Sequence, residues 1–204
     1  MQEQANGPAG VTRWVLDASD GVLRCERHLL TGLMGLLIAL VMRNVVTRYG
    51  GIPLYWVDEA SVYCVVWLTF IGDSAMTRLR HNFAVPLLPD KLGARAVRIA
   101  KAAASGGVLV LGLALLAMCW VYMDPVGLAR YGFDAKEFAA ESFNFLYTER
   151  TQTLNWPVSA IQLILPIFAV TLSLHALANL IEDLDLQPRR THAGFNIANA
   201  DVVN

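Results

Sequence analysis

Residues Trp56 to Met76 read WVDEASVYCVVWLTFIGDSAM, a stretch long and apolar enough to cross a bilayer that nonetheless carries three carboxylates. About 20 mostly apolar residues, each rising 1.5 Å, cover the ~30 Å hydrocarbon core. A plain lipid-facing anchor has no use for Asp58, Glu59 and Asp73, because a charge within a span is costly unless it finds water or a partner. Asp58 and Glu59 fall near one interface and Asp73 near the other. We therefore expect Asp58 and Glu59 to lie against another helix or another subunit. Asp73, close to Arg78 and Arg80, is expected either to do the same or to pair locally.

The chain's 55% hydrophobic content over 204 residues is too apolar for an ordinary soluble domain, and its length is too short for a large transporter. This predicts an all-α integral membrane protein with four transmembrane helices and additional interfacial amphipathic helices. A net charge of −1 without a basic patch excludes a nucleic-acid partner. Cys25, Cys64 and Cys119 have no metal-ligand spacing and read as small buried hydrophobes.

Three regions follow in order. Residues 1–27 are expected to form a loose tail and a short interfacial helix, interrupted at Gly21. Residues 28–186 form the membrane domain, with spans near 28–49, 56–77, 100–123 and 156–181, and 187–204 is a polar tail. The first span has only fourteen clean apolar residues, Leu29 to Met42, so it must run on to Tyr49 with Arg43 below the interface. Gly50, Gly51 and Pro53 then make a tight hairpin into Trp56. The small-residue pairs Gly35/Ala39, Ala102/Gly106 and Ala103/Gly107 permit close helix approach. Within 126–155, the phenylalanine-rich DAKEFAAESFNFLY reads equally as a helix on the membrane or partner surface and as a packed loop helix. Asn155 is placed to cap the last span, which opens at Trp156-Pro157, and Pro166 predicts a kink in it. Eleven of the sixteen Lys and Arg residues fall on one side of these spans when both termini are inside, which favours cytoplasmic termini.

No phosphate-cradling glycine loop, nucleophile elbow or HExxH is present, so hydrolysis and phosphoryl transfer have no support and no enzymatic activity is expected. His28, His81 and His175 fall near one membrane face. That arrangement suits a haem-binding anchor of a respiratory complex, but polar residues collect at such a face in any case. Neither an internal repeat nor a pair of broken helices marks a substrate site. An accessory subunit fits these features best.

One order of features goes further. Arg43 and Arg48 close the first span, Trp56-Val57-Asp58-Glu59 opens the second, and Trp67, Gly72, Ala75, Arg78 and His81 follow, with Leu88-Pro89 and Trp156-Pro157 later. Over roughly residues 26–183 this resembles the small membrane subunit of tripartite ATP-independent periplasmic (TRAP) transporters, the DctQ type, with Asp58 where many relatives have a second glutamate. The resemblance implies a multi-pass protein of the bacterial inner membrane. Its partners would be a large transmembrane subunit, a periplasmic substrate-binding protein and membrane lipid. The large subunit would carry the sodium and substrate sites for organic acid import, leaving this chain without a cofactor.

The first hairpin permits a finer expectation. Arg43 lies seven residues before Gly50 and Asp58 seven after Gly51, so antiparallel helices bring them to similar depth. We expect Arg43 to pair with Asp58 and Glu59 to turn, about 100° away, towards the partner subunit, with Arg48 shared; a rotation of the second helix at the Pro53 turn would swap the two carboxylates.

Overall fold

The computed structural model describes residues 8–80 and 93–191. Seven helices occupy them: α1 (Pro8–Tyr49), α2 (Tyr55–Leu79), α3 (Ala94–Met123), α4 (Pro125–Arg130), α5 (Ala135–Ser142), α6 (Val158–Gln162) and α7 (Ile164–Asp183). Four stretches are long and apolar enough to cross a membrane, Gly10–Tyr49, Tyr55–Leu79, Arg95–Arg130 and Val158–Asp183. No strand occurs among the described residues, only an isolated bridge between Arg150 and Pro157. His81 and the prolines of the 81–92 connector lie outside the described residues.

The 42 residues of α1 form one helix, about 63 Å long at 1.5 Å per residue, and Gly21 does not interrupt it. A mid-helix glycine costs about 1 kcal/mol. Packing offsets that cost: Val15, Leu16 and Leu23 are buried, the first two in a cluster with Ala178 and Ile181 of α7. The expected interfacial helix is therefore the packed first half of α1. Cys25, expected to be buried, is exposed on it.

At the far end of α1 the chain reverses as predicted. Gly50 and Ile52 donate to the carbonyls of Val46 and Thr47 at 2.9 and 3.0 Å, and Gly51 adopts φ +72°, which a side chain disfavours. We call this the hairpin end and the opposite one, where α1 begins and α7 finishes, the terminal end.

The helices form an open arrangement. α7 packs on α1, α2 and α3, α1 also packs on α2, and the substantial contacts of α3 are with α7 alone. The α3–α7 crossing depends on Gly112, where a Cβ would lie 2.5 Å from Ser173 Oγ and 3.2 Å from Ser173 N. This glycine, rather than Gly106 or Gly107, makes the close approach, since a Cβ at either of those meets nothing within 4 Å. Gly35 and Ala39 likewise point away from the chain's own helices.

Around Leu163 the last span changes from α6 to α7, three residues ahead of Pro166. The proline ring has no N–H for the Gln162 carbonyl and crowds it, which places the break there. Asn155 adopts φ 54° and does not cap this helix; Pro157 occupies the N-cap position, with no side-chain bond. The phenylalanine-rich segment packs on its own loop. Asp134 caps α5 through the amides of Lys136 and Glu137, and Phe138 is buried between the rings of Tyr131 and Tyr147, while Phe143 and Phe145 point outward. Tyr147 donates to the Met123 carbonyl at 2.6 Å, and burial, helped by Asp124, pushes its hydroxyl pKa up.

Candidate functional site

At the hairpin end the charges sort differently from the depth arithmetic. Asp58 pairs with Arg48, Nη2 to Oδ2 at 2.8 Å, and also accepts from Asn44. Arg48 Nε in turn donates to Asn44 Oδ1 at 3.0 Å. Asn44 and Arg48 are four residues apart and share a face of α1 towards α2, whereas Arg43 is rotated about 100° from Asn44. Arg43 therefore lies over the ring of Trp56, 4.9 Å from its centroid. The side chains of Arg48 and Asp58 are 61% and 42% exposed, so the pair is worth about 0–1 kcal/mol at a wet interface.

Glu59 turns towards a loop of its own chain. Its carboxylate accepts three successive backbone amides, Gln152 at 2.9 Å, Thr153 at 2.7 Å and Leu154 at 2.9 Å, together with the Thr153 hydroxyl and Tyr63 Oη at 3.1 Å. It thereby fixes a loop more than ninety positions away onto the start of α2. About two turns further along, Trp67 Nε1 donates to the Ile161 carbonyl at 3.2 Å, tying α2 to α6 just before the break. Gly72 faces α1, where a Cβ would reach van der Waals contact with Leu30 at 3.9 Å.

Asp73 is exposed, and among the described residues its carboxylate has neither a hydrogen bond nor an ion pair. Arg78 and Arg80 are engaged elsewhere. Arg78, 2% exposed, reaches Glu182 at 2.9 Å, Asp20 at 3.1 Å and Asn179 Oδ1 at 2.9 Å. Arg80 pairs with Asp183 at 2.6 Å and Glu182 at 3.3 Å, and Arg190 closes the outer side on Asp20 at 2.6 Å and Asp17 at 2.8 Å. Asn179 Nδ2 donates to the Thr77 carbonyl at 2.7 Å and Ser105 to Asp183 at 2.6 Å, so α1, α2, α3 and α7 all enter one network. A buried charge is tolerated only with partners of this kind.

A second polar layer lies deeper in the bundle. Glu26 accepts from Ser74 at 2.7 Å and sits 3.1 Å from His175 Nε2, while Ser19 Oγ is 2.7 Å from His175 Nδ1. One consistent proton assignment has neutral His175 donating from Nε2 to Glu26 and accepting from Ser19. Hydroxyl, imidazole and carboxylate are thus in the order of a hydrolytic relay. Ser19 and His175 are fully buried, however, so the hydroxyl has no route to a substrate and the cluster acts as a helix clamp. Both ring nitrogens of His175 are engaged; a haem iron would have to displace Ser19 or Glu26.

Sequence reasoning missed Ser19 and Glu26, and took Ser74 for a packing residue and Asn179 only as a polar member of the last span. A signal was present: Leu16, Ser19, Leu23 and Glu26 follow a three-and-four spacing, so Ser19 and Glu26 share the buried stripe of α1.

Comparison with known proteins agrees with this architecture. Residues 37–186 match the family model described as "Tripartite ATP-independent periplasmic transporters, DctQ component". No curated protein and no solved structure matches the chain.

Proposed function

Since the chain belongs to the DctQ family, the small membrane component of TRAP transporters, we propose that it is the scaffold that seats and orients the large transmembrane subunit. In this reading the large subunit carries the sodium and substrate sites, a periplasmic protein delivers an organic acid, and the small chain holds no cofactor of its own. It resides in the bacterial inner membrane with both termini cytoplasmic, as the distribution of Lys and Arg favours.

The observation that carries the proposal is the outer face of α1. The most apolar eighteen-residue stretch of α1 has no residue buried within the chain. Gly32, Gly35 and Ala39 lie exposed on one side of the helix, and a Cβ at either glycine would meet nothing within 4 Å. Small residues at such spacing let a second membrane helix approach closely, a contact that no helix among the described residues makes. The chain's own polar residues meanwhile brace the bundle internally, which suits a rigid support. Vesicles containing the large subunit alone, this chain alone, or both, supplied with the loaded binding protein and a sodium gradient, test the reading. Uptake is expected only with both, and uptake by the large subunit alone at the full rate would refute the scaffold role.

A further inference from the structure

At the hairpin end, between α1, α2 and the start of α6, lies a groove of about 500 Å³. Leu36 and Leu40 of α1, Trp56, Tyr63 and Trp67 of α2, and Leu154 of the loop wall it. Three of the polar groups along those walls are already engaged. Tyr63 donates to Glu59 and Trp67 to the Ile161 carbonyl, and Cys64, which also lines the groove, donates to the Leu33 carbonyl at 3.3 Å. An occupant therefore meets mainly hydrocarbon and aromatic surface. Glu59 keeps the groove open by holding the amides of 152–154, and with them Leu154, in place.

What lies inside the groove must be narrow: one helical turn, 10–12 Å across with side chains and 5.4 Å high, fills about 420–610 Å³, so a spanning helix would rest over the mouth instead of lying within it. A hydrocarbon chain is narrow enough to lie along the groove. Charge supplies the rest. Arg43 stands one turn beyond Leu40 at the mouth, exposed, its guanidinium over Trp56, which itself lines the groove. Among the described residues it has no carboxylate partner. An unpaired cation at an aromatic-lined interface suits a phosphate.

We propose that this groove binds one acyl chain of a glycerophospholipid from the leaflet at the hairpin end, with Arg43 taking the lipid phosphate. The full-length chain, delipidated in detergent, is titrated with phosphatidylethanolamine or with inorganic phosphate, and bound species are counted by native mass spectrometry. One tightly held phosphatidylethanolamine per chain is expected, with no retention of inorganic phosphate. Arg43→Gln is expected to weaken the lipid about tenfold or more through loss of a charge-assisted contact. Ala60→Phe, which fills the groove from α2 and leaves Arg43 in place, is expected to have an effect of similar size and decides the matter if Arg43→Gln does not fold. Lipid binding unchanged by Ala60→Phe, or inorganic phosphate held as tightly as the phospholipid, would overturn the proposal. So would expulsion of the lipid when the large subunit is added.

Discussion

Replacing Arg78 by alanine should be among the most damaging single changes in this chain. The guanidinium is 2% exposed and is shared by Glu182, Asp20 and Asn179 from two helices. Deleting one member of a buried ion pair costs about 3–5 kcal/mol, because the other charge remains buried without compensation. Here the loss falls near the lower limit, about 3 kcal/mol, since Glu182 keeps Arg80 at 3.3 Å and Asp20 keeps Arg190 at 2.6 Å. Arg78→Lys should fall between alanine and wild type, because one ammonium cannot match the planar fork that meets three acceptors. Denaturant titration of the purified chain in detergent micelles, followed by circular dichroism, gives the difference directly. A double-mutant cycle with Glu182→Gln should then show coupling of about 0.5–3 kcal/mol, as expected for residues in one network. If Arg78→Ala loses under about 1 kcal/mol, the range of an exposed pair, the network is solvated and the reasoning fails.

Other consequences are more local. Glu59→Gln should leave the helices intact but speed amide hydrogen exchange at 152–154, and unchanged protection there would mean that the carboxylate does not hold the loop. Gly112→Val should disrupt the α3–α7 crossing and lower the unfolding midpoint well beyond Gly106→Val; equal effects would show that no close approach exists at Gly112. Cys25 should react with an impermeant thiol reagent only after the membrane of spheroplasts is opened, and labelling in intact spheroplasts would reverse the proposed orientation.

The spans were legible because burying some twenty apolar residues in a bilayer is a local, one-dimensional property of a sequence. The Gly50–Gly51 turn was legible for a similar reason, since its glycines answer a local backbone demand. Which charge meets which was not. Arg43 and Asn44 differ by one position and about 100° of rotation, and only the packing of α1 on α2 decides which of them faces Asp58. Glu59 found its partners more than ninety residues away in a loop whose amides carry no signature in sequence. The continuity of α1 through Gly21 depended on α7, which a reading of α1 alone does not see. Arg78 was noticed as part of a family pattern, yet its partners Asp20, Asn179 and Glu182 emerge only when three helices are set side by side.

Docking of the large membrane subunit on the outer face of α1 is tested most directly by Gly35→Leu. Among the described residues no atom lies within 4 Å of a Cβ there, so the isolated variant should fold as the wild type does. Tagged chain co-expressed with the large subunit should retain it through affinity purification and gel filtration, whereas the Gly35→Leu chain, equally helical and equally abundant, should lose it. Retention of the large subunit by the variant at the wild-type ratio would show that the outer face of α1 is not the docking surface.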